Sequence, residues 1–111
     1  MKLLSHEYQN KDTRRTLTQL LTADVKQINL YDVSKNAVLG NHFHLLTTEY
    51  FLILQGSFRV SVGNKSFAVR KNQFFAVLPP LRHSLKCLSQ SGHFLTFLTK
   101  AYQKEKPDIY V

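Results

Sequence analysis

Residues 40–56 read GNHFHLLTTEYFLILQG, which sets His42, His44 and Glu49 around a run of β-forming residues. Side chains two apart on a strand share a face, so His42 and His44 point one way and Phe43 the other. Two imidazoles on one face can bind a single ion. Glu49 opens EYFLIL, a run suited to a half-buried pleated surface, and is read as the first residue of the next strand. A carboxylate there supplies a third ligand, so the stretch predicts a metal cup written on strands.

Outward from this stretch the chain continues as short strands with turn signals between them. Before it, residues 16–21, 28–33 and 37–44 read as strands by β-propensity and partial alternation, with Ser34-Lys35-Asn36 as a turn. After it, Gln55-Gly56 turns into a strand over 57–62, and Gly63-Asn64-Lys65 turns into another over 66–69. Further strands fall at 74–78, 84–88 and 93–98. Pro79-Pro80 ends the first of these, because proline cannot donate to a ladder. No stretch reads convincingly as a helix, and the rhythm is that of a β-sandwich or small barrel. The segment through Asp12 reads as an arm or edge strand, and the tail from Tyr102 as loosely held.

At 111 residues and 43% hydrophobic content the chain fits one domain with a core of its own. The single Cys87 excludes an internal disulfide framework, and MKLLSHEYQ turns polar too soon for an export signal, so a cytoplasmic protein is expected. No window approaches the roughly 18 apolar residues of a membrane span, so no membrane partner is expected. The formal charge of +8, from 15 basic and 7 acidic residues, is scattered in sequence as an ordinary solvated surface would be. Nucleic acid is not expected as a partner, since no recognition-helix, zinc-finger or aromatic RNA-binding pattern accompanies that charge.

These motifs resemble those of the cupin superfamily of small β-barrels. His42-x-His44, four intervening residues, Glu49, six intervening residues and Gly56 meet the spacing of the first cupin motif, with Gly40 directly before Asn41 as a displaced leading glycine. The second motif has a degenerate counterpart in Asn72, Pro79, Pro80 and His83, in which the histidine is strictly kept and Asn72 stands for a glycine, able to take the same left-handed backbone. Fifteen residues separate Gly56 from Asn72, enough for one hairpin. Within cupins the wording is similar to a subgroup acting on nucleotide-linked sugars, the ketoisomerases of deoxysugar pathways and the metal-bearing epimerase modules of capsule biosynthesis. Asp12-Thr13-Arg14-Arg15-Thr16-Leu17 resembles the Asp-x-Arg-Gly-x-Leu opening of such enzymes, with Arg15 in place of Gly. Leu39 stands where that subgroup usually has Arg.

The resemblance implies an all-β, single-domain cupin-type jelly-roll β-barrel over residues 1–111, with a motif-bearing core at about 39–84, an arm at 1–12 and a tail at 102–111. It implies His42, His44, Glu49 and His83 as ligands of a divalent transition metal, with Zn, Mn, Fe, Ni and Co all compatible with the donor set. The activity it implies is isomerisation or epimerisation of a carbonyl-bearing sugar or sugar nucleotide, a small molecule held in the barrel. Two other readings stay open: a cupin-type non-heme iron dioxygenase, and a non-catalytic small-molecule-binding or sensing cupin. For the cluster itself, metal-free acid/base use of the His-x-His pair and a purely structural role are the alternatives.

Among the remaining residues, Tyr31 is a candidate proton donor, with strand packing as its alternative, and Arg82 beside His83 a candidate contact for an anionic group. Arg59 alternates out of phase with Phe58, Val60 and Val62 and is expected to face solvent. Cys87 shares parity with His83 and Leu85 and is expected as core filler. His6 and His93 carry no motif. On EYFLIL, Glu49, Phe51 and Ile53 share one face and Tyr50, Leu52 and Leu54 the other; both are apolar. A second sheet or subunit must cover the outer face. With Phe43 also pointing outward, this predicts a homodimer.

Overall fold

The computed structural model describes residues 4–111, and among them the regular structure is strand throughout. The ten strands are β1 (Tyr8–Lys11), β2 (Thr16–Gln19), β3 (Gln27–Ser34), β4 (Val38–His42), β5 (Glu49–Gln55), β6 (Ser57–Val62), β7 (Lys65–Arg70), β8 (Phe74–Val77), β9 (His83–Cys87) and β10 (Ser91–Leu98). β1 and β2 form a separate hairpin. The others form two four-stranded antiparallel sheets, ordered β3-β10-β5-β8 and β4-β9-β6-β7. From β3 onward the chain crosses from one sheet to the other at almost every connection, staying within one sheet only for the β6–β7 hairpin. This is the jelly-roll form of the expected all-β fold. No helix among the described residues is long and apolar enough to cross a membrane.

Period-2 patterning builds the core between the sheets. Phe51 and Ile53 of β5, Phe58 and Val60 of β6, Leu85 and Cys87 of β9 and Phe94 of β10 all point inward and are buried. Phe58 of one sheet meets Phe94 of the other edge to face, with ring centroids 5.3 Å apart, and Phe51 stacks on Phe75 at 4.7 Å. Each such ring contributes about 2 kcal/mol by leaving water. Arg59 faces solvent and Cys87 fills core, as their parity dictates.

The turn residues behave as their chemistry requires. Asn72 takes φ +71, the left-handed backbone expected of it. Gly56 takes φ +86, and a Cβ there would lie 2.5 Å from the Ser91 carbonyl oxygen, so the β5–β6 turn admits only glycine without a shift of main chain.

Four expectations are corrected. β2 ends at Gln19 instead of Leu21; Leu20, Leu21 and Val25 stand with Tyr50 and Leu52 around a cavity of about 380 Å³ on the outer face of β5, where Tyr50 and Leu52 are half-buried. Part of the apolar face assigned to a partner is thus covered by the chain itself, although Ile28 and Leu30 remain 59% and 63% exposed. Phe43 points outward as expected but stacks on Tyr110 at 5.5 Å. The tail is therefore not loose: Phe43 and Tyr110 exchange two main-chain hydrogen bonds of 2.9 and 3.0 Å.

The basic residues are scattered along the sequence, but the acidic ones fall only within residues 7–49 and 105–108. From Tyr50 through Lys104 there is no acidic residue but eight basic ones, and the seven basic residues elsewhere balance all seven acidic ones. Arg59 and Lys86 are direct cross-strand partners on β6 and β9, with Arg70 exposed on β7. Like charges placed opposite one another are mutually unfavourable, and Arg59, Arg70 and Lys86 are all exposed to solvent.

Candidate metal centre

β4 is expected to run to His44 but ends at His42. Gly40 and Asn41 both take positive φ, +86 and +67, and the register against β9 shifts between Gly40 and His42. Such a bulge inserts a residue, bends the strand and re-aims the side chains beyond it. One result is that His42 faces His83 directly across the β4–β9 ladder. The other is that His44 leaves the strand and enters the same cluster from the 43–48 connection. Glu49, at the head of β5, closes the group from the opposite sheet.

All four sequence-predicted ligands therefore converge. One donor atom from each of His42, His44, Glu49 and His83 lies within 4.8 Å of every other. Glu49 Oε1 is 3.1 Å from His44 Nε2 and 3.3 Å from His83 Nε2. His44, Glu49 and His83 are buried, while His42 is half-buried. Bonds of about 2.0–2.2 Å separate even opposed ligands by no more than about 4.4 Å, so a contraction of a few tenths of an ångström closes this cluster on an ion.

Electrostatics suit the donor set to a cation. Burial alone would raise the Glu49 carboxyl, but hydrogen bonds from His44 and His83 overcome it and hold the group down at about 2, so it is anionic. Burial, then the neighbouring His83 and His44, lower His42, which favours a neutral imidazole with a free lone pair. His44 is raised, chiefly by its hydrogen bond to Glu49. His83 Nδ1 is buried without a hydrogen-bond partner among the described residues. Three nitrogens and one anionic oxygen at this spacing fit a first-row divalent ion.

The cluster lies between two cavities. An inner one of about 160 Å³ is walled by Leu39, Phe51, Leu85 and Phe94, and an outer one of about 220 Å³ is lined by Gln27, Asn29, Lys100 and Asp108; Tyr31, His42 and Glu49 border both. Tyr31 stacks on Phe94 at 4.7 Å, and burial followed by the charge of Glu49 raises its phenol, so it keeps its proton at neutral pH. Arg82 does not line either cavity. Its guanidinium lies over the Phe43 ring at 5.3 Å and donates to the Asn41 carbonyl at 3.0 Å. The cation facing the outer cavity is Lys100, which the sequence reading did not single out. His93 pairs with Asp32 on the surface, and His6 is exposed.

Asp108 was also missed. Its carboxylate accepts from the main-chain N–H groups of Leu45, Leu46 and Thr47 and from the Thr47 hydroxyl, at 2.8–3.0 Å, and its main-chain oxygen lies 2.6 Å from His44 Nδ1. More than sixty residues separate these partners, and no spacing signal in the sequence links them.

No protein-family model matches this chain, and no curated protein matches it by sequence. Solved structures do match. A 3,4-ketoisomerase from Helicobacter canadensis is 17% identical, with a TM-score of 0.80 over 97% of this chain and 87% of that one. The rmlC epimerase of Mycobacterium tuberculosis is 18% identical, with a TM-score of 0.74 over 96% and 71%. The capsular polysaccharide assembling protein CapF from Staphylococcus aureus is 19% identical, with a TM-score of 0.71 over 98% of this chain but 34% of that one, so the chain spans about a third of CapF. At such identities the likeness shows the fold, which is the cupin-type jelly roll that the motifs resemble.

Proposed function

We propose that this chain is a metal-binding isomerase or epimerase acting on a carbonyl-bearing sugar or sugar nucleotide. The observation that carries the proposal is the convergence of three imidazoles and an anionic carboxylate at the floor of a cavity that Tyr31 also borders. A divalent ion bound there supplies a Lewis acid that polarises a carbonyl oxygen. Tyr31, with its proton retained, is placed to give and recover a proton at an oxygen or carbon of a ligand in the cavity. Lys100 offers a charge to an anionic group, and Gln27 and Asn29 offer amides to hydroxyls. The concentration of positive charge on the acid-free stretch favours arrival of a negatively charged ligand. Structural neighbours described as ketoisomerases and epimerases support the same reading.

The test is solvent-deuterium incorporation next to the carbonyl of a dTDP-linked 4-keto-6-deoxy sugar, with metal content measured on the same sample. Tyr31→Phe is expected to slow incorporation by about 100-fold or more, in the range of a lost general acid. Absence of exchange by the metal-loaded protein would sink the isomerase reading, and iron with ligand-dependent oxygen uptake would replace it with a dioxygenase. A second reading has its own observation: Glu49 already holds His44 and His83 by hydrogen bonds, as a metal-free acid/base cluster would. Full exchange activity after chelator treatment would select it.

We also propose that the chain pairs with a second copy. Ile28 and Leu30 remain exposed on β3, across β10 from the partly covered outer face of β5, a surface that a partner sheet would bury. Sedimentation equilibrium is expected to give twice the 12.9 kDa chain mass. A monomer at micromolar concentration overturns this.

A further inference from the structure

A histidine can present a lone pair to an ion from either ring nitrogen, and the hydrogen bond made by the other nitrogen decides which. His44 makes such a bond. Its Nδ1 lies 2.6 Å from the main-chain oxygen of Asp108. A carbonyl only accepts, so Nδ1 carries a proton in either charge state of the ring. Nε2 is then the atom turned toward Glu49 and the centre. His83 has no comparable partner on Nδ1 among the described residues.

The position of that carbonyl is set by the side chain of the same residue. Oδ1 of Asp108 accepts from Leu45 N at 3.0 Å; Oδ2 accepts from Leu46 N and Thr47 N at 2.9 Å and from the Thr47 hydroxyl at 2.8 Å. Three consecutive N–H groups converging on one carboxylate form an anion nest, and bonds to a charged acceptor are the strong ones. Those three residues follow His44 directly. One amino acid thus grips the connection with its carboxylate and orients the ring at the head of that connection with its backbone. Both carboxylate oxygens are thus engaged by the turn that follows His44.

We propose that Asp108 is the positioning residue of the centre, clamping the 44–47 turn so that His44 is held with Nδ1–H outward and Nε2 inward. The proposal deepens the metal-centre reading and rests on it only for its effect on metal affinity. The hydrogen bond itself belongs to the metal-free protein.

The experiment uses two readouts on the full chain. The first is the imidazole Nδ1–H resonance of His44 in metal-free protein labelled with nitrogen-15 at histidine, assigned by its loss in His44→Gln. The second is zinc affinity, measured by competition with a chromophoric chelator. The wild-type chain is expected to show a slowly exchanging Nδ1 proton. Asp108→Ala is expected to lose it and to weaken zinc binding by about 10- to 100-fold, the range for partners that orient a ligand. Asp108→Asn keeps one acceptor oxygen but turns an amide N–H toward the nest, so it is expected to fall between the two. Glu105→Ala, an exposed carboxylate on the same tail, is expected to change neither.

A resonance that persists in Asp108→Ala overturns the proposal, as does weakened zinc binding with the resonance unaltered. Should Asp108→Ala fail to fold, Asp108→Asn decides: an unchanged resonance with affinity within about twofold of wild type overturns it. A wild-type chain that binds no zinc defeats the metal reading, while the resonance still decides the role of Asp108.

Discussion

Glu49→Gln is expected to raise the zinc dissociation constant by at least about 100-fold while the chain stays folded. Loss of a group that merely orients a ligand costs about 10- to 100-fold in metal affinity, so loss of an anionic ligand costs more. The substitution is nearly isosteric and removes the only negative charge within the cluster. One amide face then presents N–H donors to imidazole nitrogens that must offer lone pairs. Breaking a buried ion pair commonly costs about 3–5 kcal/mol, because a charge is left stranded. Here His44 can shed its proton once Glu49 no longer holds it, which limits the damage at neutral pH to about 1–2 kcal/mol of hydrogen bonding. The metal effect therefore exceeds the folding effect. Chelator competition and thermal unfolding of the metal-free variant separate the two. Zinc binding within tenfold of wild type would remove Glu49 from the ligand set.

That Glu49 belongs to a four-membered cluster was legible because its spacing from His44 and Gly56 is local, and local spacing on strands fixes faces. The placement of His83 was legible through Asn72 and the Pro79-Pro80 corner, although the second motif keeps little beyond its histidine. What strand parity could not deliver is the way His44 reaches the site. Parity assumes an unbroken strand, and the paired positive φ of Gly40 and Asn41 breaks it one residue before His42. The right grouping thus came from a local geometry that the structure does not use for His44. Asp108 lay beyond reach for another reason: its partners are more than sixty residues away, and an acid after Pro107 in a polar tail carries no periodic signal. The same holds for charge. Arg59 and Lys86 are far apart in sequence and adjacent on the sheet, so only the ladder reveals that they are neighbours. Arg82 lies over the ring of Phe43 instead of lining a cavity, and Lys100, given no role from the sequence, lines the outer one; neither placement has a local spacing signal.

Zinc affinity is expected to rise with pH by about tenfold per unit on the acid side of the His44 transition, and then to flatten. The sign follows from what occupies His44 Nε2. In the metal-free protein the hydrogen bond to Glu49 raises His44 above its ordinary value of 6.5, so on the acid side of its transition that nitrogen carries a proton which an ion must displace. Glu49 is held down at about 2 and releases no proton in this range. His42 is lowered, so it resists protonation until more acid conditions, where a second displaced proton steepens the dependence. Competition titrations between about pH 6 and about pH 8 measure the slope, and calorimetry in two buffers of different ionisation enthalpy counts the protons released. Glu49→Gln provides the internal control. It removes the largest cause of the raised His44 value, so its remaining affinity is expected to flatten at a lower pH than that of the wild-type chain. Because a ligand stabilises the folded state in proportion to the logarithm of its concentration over its dissociation constant, the zinc-induced rise in melting temperature is expected to shrink as pH falls. Affinity independent of pH across this range would mean that no proton stands between His44 and Glu49, and the electrostatic account of the centre would fall with it.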